Sequence, residues 1–104
     1  MYATHRPYEG IDQSSVEELS RKVNETLIPK LSKLPGFKGY YLMEAGEGVV
    51  RSTTLFDTSA QAEDSTRIAA EWTKDEKLEK LVPNAPKVTL RKVIAHETKV
   101  PVLV

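Results

Sequence analysis

His5 is the side chain in this 104-residue chain best suited to proton transfer near neutral pH, because an unperturbed imidazole titrates there. It falls in a strand-like run, so a hydrogen-bonded structural histidine is the competing reading. Arg51 stands mid-strand between Val50 and Ser52. Its planar fork suits an enolate or carboxylate ligand, or an ion pair with Glu44. Trp72 is the single tryptophan and lies on an apolar helix stripe, where it serves as a pocket wall or as core. Tyr40 and Tyr41 are adjacent in a strand and must point to opposite sheet faces: one toward core or pocket, the other toward a second copy. His96 is the other histidine. Two imidazoles without a placed carboxylate make a poor ligand set, so no metal is expected.

Composition narrows what these residues can serve. The chain carries 15 basic and 15 acidic residues, is 39% hydrophobic, and has no cysteine. That balance argues for a folded domain rather than disorder. It argues against electrostatic capture of nucleic acid. Thiol nucleophiles, thiolate metal sites and disulfides are excluded outright. His5, Arg6 and Glu9 interrupt the first ten residues, where a secretory leader would need an apolar core. The longest apolar run is residues 40–43, far short of a membrane span. A cytoplasmic one-domain protein with no membrane or nucleic-acid partner is expected.

The elements that must position the candidates follow from periodicity. Residues 1–8 read as a strand. Asp12, Ser14 and Ser15 offer helix caps, and both serines have a glutamate at capping-box spacing. Val16, Leu19, Val23, Leu27 and Leu31 form one helix stripe, which Pro29 should kink. Pro35-Gly36 ends it. Residues 37–45 and 49–57 read as a hairpin split by Gly46-Glu47-Gly48. Thr58 with Gln61 caps a second helix whose stripe holds Ala62, Ile68, Ala69 and Trp72. A short helix through Leu78, Leu81 and Val82 and a last strand over 88–98 complete the domain, 1–99. Residues 100–104 form an apolar tail expected to lie across the rim of its own domain or across a second copy of the chain.

The order β-α-β-β-α-β is that of a ferredoxin-like α+β sandwich, an antiparallel sheet with two helices on one face. Lys38-Gly39-Tyr40-Tyr41 mimics an RNA-recognition signature but sits on the wrong strand for one. Gly46-Glu47-Gly48 joins two strands, where a phosphate cradle would open a helix. In such a sheet His96 is expected beside the first strand only if the strand order is altered. The small residues Ala60, Ala62, Ser65, Ala69 and Ala70 on the second helix either leave a pocket beneath it or let it close on the sheet. Two helices cover one face only. Tyr41/Met43 and Tyr40/Leu42 are apolar on both sides of the same strand, so a monomer would expose an aromatic patch. A two-fold homodimer through that face is the simplest remedy.

Leu34-Pro-Gly-Phe-Lys-Gly-Tyr-Tyr-Leu-Met, the strand ending Leu55-Phe56-Asp57-Thr58, and Trp72 late in the second helix resemble the antibiotic-biosynthesis-monooxygenase superfamily over residues 1–98. The resemblance implies a dimeric α+β barrel with a pocket between helices and sheet in each subunit. It implies oxidation of an aromatic or quinone-like substrate by molecular oxygen without metal or flavin, hence no cofactor. In that reading His5 is the catalytic base, Arg51 stabilises the anion, and Trp72 with Tyr41 form the walls. The haem-cleaving branch is a poor match, since its iron-ligating histidine has no counterpart between Glu79 and Lys87. The alternative is a non-catalytic dimer that binds a hydrophobic small molecule or acts as a scaffold.

Overall fold

Asp12, rather than either serine, starts the first helical segment: its carboxylate accepts a hydrogen bond from the Ser14 amide at 3.1 Å, and Ser15 makes no side-chain cap. The computed structural model describes residues 1–82 and 86–96. After strand β1 (Tyr2–Tyr8) comes a 3-10 turn, Gln13–Ser15, continuing without a break into α1 (Val16–Lys22), a π-helical turn (Val23–Leu27) and α2 (Ile28–Ser32). The expected kink at Pro29 is absorbed by that widened turn. Proline has no N–H and its ring would press on the Glu25 carbonyl in an α-helical backbone. The stripe survives the change of pitch, and Leu19, Val23, Leu27 and Leu31 are all buried.

Strands β2 (Phe37–Gly46) and β3 (Val49–Phe56) form the hairpin. Its turn is two residues, Glu47-Gly48, with φ of 53° and 76°, the left-handed pair that matches strand twist. A side chain at Gly48 would also sit 2.8 Å from the Ile11 carbonyl, whose own amide bonds the Gly48 oxygen. Helix α3 (Ser59–Asp75) begins with the expected capping box, Gln61 amide to Thr58 hydroxyl and Thr58 amide to Gln61 side chain. It ends in a left-handed cap at Lys77, φ 55°, with the Leu78 amide reaching back to Thr73. That cap ends the helical run, so the expected short helix is a single turn closed by Val82 on Leu78. The last strand, β4, is Thr89–Lys92 rather than 88–98, of which 97 and 98 lie outside the described residues, as does the tail 100–104.

The sheet is antiparallel throughout in the order β2-β3-β1-β4, with both helical segments on one face. The last strand therefore pairs directly with the first. The expectation that this needed an altered order is corrected: His5 stands opposite Thr89, and His96 is exposed beyond the end of β4. Toward the helices point Thr4, Arg6, Val50, Ser52, Thr54 and Phe56, all buried. Away from them point His5, Arg51, Thr53, Tyr41 and Met43, since successive strand residues alternate faces. Tyr41 and Met43 remain 56% and 48% exposed. Among the described residues no helix is long and apolar enough to cross a membrane.

Candidate functional site

Arg6 is the least expected resident of the helix-facing side. It is 2% exposed, on the central strand pair, beneath α3. Its partners are hydroxyls: Nη1 donates to Ser52 at 3.5 Å and Thr54 at 3.2 Å, and Nη2 donates to Ser65 at 3.3 Å and Thr66 at 3.5 Å. Nε has no partner. Among the described residues no carboxylate pairs with this guanidinium. A buried cation without a counter-charge is costly, and hydroxyl dipoles offset only part of that cost.

The surroundings register the strain. Burial lowers the Arg6 pKa, against the pull of the Tyr8 and Tyr40 phenols. Burial also raises Tyr8, while the Arg6 charge and the Ser52 hydroxyl oppose the rise. Tyr40 is pushed up to about 12 by burial and by Tyr8, with Arg6 and Ser52 again opposing. Both phenols therefore stay protonated at neutral pH and act as hydrogen-bond donors rather than bases.

Beside this cluster the layer opens into a cavity of about 450 Å³. Arg6 and Tyr8 floor it from the sheet, Thr66, Ala69, Ala70 and Thr73 roof it from α3, and Val82, Pro86 and Val88 close the far side. Lys74 and Glu79, both exposed, stand at its rim. The volume lies in the small-molecule range of about 300–1,000 Å³. The small residues of α3 do two things along one helix. Ala62 and Ser65 let its first turns approach the sheet, where Thr4 bonds the Ala62 carbonyl at 3.3 Å. Ala69 and Ala70, a turn further on, leave the space.

The four residues singled out from the sequence do not converge on this cavity. His5 lies on the opposite face of β1, its Nδ1 3.3 Å from the Thr53 hydroxyl. Tyr41 stands across Thr53 from it, and Arg51 is opposite Met43 and Pro7 on the same outer face. Trp72 is on the helix side but packs into the apolar core, its indole N–H donating to Thr26 at 2.6 Å. The void that Trp72 lines is about 10 Å³, no more than one water. Arg6, Tyr8 and Thr66 were passed over in the sequence. A signal existed on β1, where Thr4, Arg6 and Tyr8 fall on one face by strand alternation; on β3 residues 51–54 are all polar, so no alternation marks the inward face there.

No family model matches the chain, and no curated protein matches it. Solved structures do. A protein of unknown function from Nitrosomonas europaea superposes with a TM-score of 0.73 at 15% identity, covering 96% of this chain and 95% of that one. A candidate antibiotic biosynthesis monooxygenase from the same organism gives 0.72 at 11% identity, covering 91% and 100%. A monooxygenase from the gene ActVA-Orf6 of Streptomyces coelicolor, in complex with nanaomycin D, gives 0.70 at 12% identity, covering 96% and 91%. At such identities the likeness establishes the fold, and at that level the resemblance read from the sequence holds.

Proposed function

We propose that the chain binds a hydrophobic aromatic small molecule of phenol or quinol type in the cavity beside Arg6, and oxidises it with molecular oxygen without metal or flavin. The observation that carries this reading is a buried guanidinium, without a carboxylate partner among the described residues, on the wall of a mostly apolar cavity of ligand size. An anionic oxygen delivered there supplies the missing counter-charge and meets the Thr66 and Tyr8 hydroxyls as further donors. A substrate whose acidic C–H or O–H ionises is thereby held as its enolate or phenolate, the form that reduces oxygen. For a ring methylene the balance is one substrate and one O₂ to one ketone and one water. Glu79 at the rim is the carboxylate placed to take the first proton, directly or through water. A monooxygenase of this fold holding a small-molecule ligand supports the reading.

The same proposal gives the uncovered sheet face to a second copy of the chain. Tyr41 and Met43 are its apolar centre, and His5 and Arg51 become seam residues rather than catalytic ones. Light scattering that finds a single-chain mass at micromolar concentration overturns the dimer. Oxygen uptake with a panel of anthrones and hydroquinones tests the reaction. Consumption is expected to collapse in Arg6→Met and to persist in His5→Ala. Binding without consumption above background would leave a non-catalytic binding dimer as the better reading.

A further inference from the structure

The cavity beside Arg6 does not end at Thr66. A second hollow of about 300 Å³ adjoins it, lined by Thr4, Glu63, Thr66, Val88 and Leu90, and the two share Thr66 and Val88. Together they form one groove between α3 and the β4 edge. It runs along α3 from Lys74 to Glu63, eleven residues or roughly 16 Å of helix. Its chemistry changes along its length. At one end the larger hollow is donor-rich, at Arg6 with Thr66 and Tyr8, and carries Lys74 and Glu79 at its exposed rim. The middle is aliphatic, at Val88 and Leu90. The other end carries Glu63, which makes no hydrogen bond or ion pair among the described residues.

We infer that the ligand is two-part: an aromatic head with an ionisable hydroxyl at Arg6, and an aliphatic arm that lies along Val88 and Leu90 and ends in an ammonium or other donor at Glu63. This rests on the reading of the Arg6 cavity as a ligand site and extends it to substrate class. A compact polycyclic ligand would fill the first hollow and leave the second to water. An arm of roughly four carbons spans the helical turn from Thr66 back to Glu63. The charge order of the groove also sets the orientation, because a carboxylate-ended arm would meet Glu63 and a cationic head would meet Arg6.

Isothermal titration of the purified chain with hydroxynaphthalenes bearing arms of zero to six carbons tests this without needing turnover. Affinity is expected to rise about twofold per methylene up to roughly four carbons, as half-buried apolar surface is covered, and then to level. Among equal lengths, the ammonium-ended arm should bind about threefold to fivefold tighter than the carboxylate-ended one, within what an exposed pair supplies. Leu90→Trp should flatten the length dependence while the armless head keeps its affinity. Glu63→Lys, at an exposed helix position where folding is not at stake, should reverse the preference for the arm's end. A head that binds the native chain with no dependence on arm length or charge overturns the two-part ligand and leaves the Arg6 site standing. If no head binds at all, both fall.

Discussion

The layer between helices and sheet is built in two ways. Under α1, the π-helical turn and α2, Leu19, Val23, Leu27 and Leu31 close with Val50, Trp72 and Leu78 into a dry core. Its one polar tip, the Trp72 indole, is satisfied by Thr26, which itself bonds the Lys22 carbonyl at 2.7 Å. Under α3, on the same strands, the buried polar set is Thr4, Arg6, Ser52, Thr54 and Ser65, beside Phe56 and Ala62. The first half gains stability from apolar area and dense packing. The second half holds a cation that burial disfavours and ends in a cavity. One region is held by apolar packing; the other is organised around a buried charge held by four hydroxyls.

Substitutions can break this contrast. Leu27→Ala should cause the largest change, about 2–5 kcal/mol of stability for a truncated core side chain. Denaturant unfolding of wild type and variant measures it. Arg6→Met should cost clearly less than that, because an apolar side chain of similar reach suits a desolvated site. It should also weaken binding of phenolate-type ligands at least tenfold, read by calorimetry. If Arg6→Met proves the more destabilising of the two, the polar half is structural and the contrast collapses.

A pH series sharpens the same point on a smaller scale. Tyr40 is raised to about 12 in the fold, whereas the unfolded phenol ionises near 10. The unfolded chain thus loses that proton first. Its contribution is complete below pH 10 and is lost as pH rises through 12, about 2–3 kcal/mol in all and roughly half of that by pH 11. Unfolding curves at pH 8, 10 and 11 should show this decline, and Tyr40→Phe should reduce it. The smallest effect belongs to the cap that closes α3. Lys77 holds φ of 55°, and Lys77→Gly should raise stability by about 0.5–1 kcal/mol with no effect on ligand affinity, seen as a small rise in Tm.

Most of the element order was legible because it rests on local signals. The Leu19–Leu31 spacing, the Thr58–Gln61 box and the glycine turn at 46–48 each act within a few residues. The first cap was legible only as a choice among Asp12, Ser14 and Ser15, since each offers an acceptor oxygen and only backbone direction selects Asp12 among them. Pro29 was readable as a disturbance but not as a π-helical turn, since that outcome depends on keeping Val23 and Leu27 in the core on either side.

From the chain alone came the α+β class, the ferredoxin-like order, and the necessity that Tyr40 and Tyr41, adjacent in a strand, part to opposite faces. Tertiary structure decided which face each one takes. Register across three strands places His5, Thr53 and Tyr41 in one outward row, and Arg6, Ser52 and Leu42 in the inward row beside it. A one-residue offset exchanges those rows, so side-chain chemistry by itself cannot tell a site residue from a surface one. His5 and Arg51 carry the more suggestive chemistry and point outward. Arg6 looked like an ordinary charge near a terminus, and only the closing of α3 over it, with Ser65 and Thr66 reaching down, makes it the buried cation at the wall of a cavity.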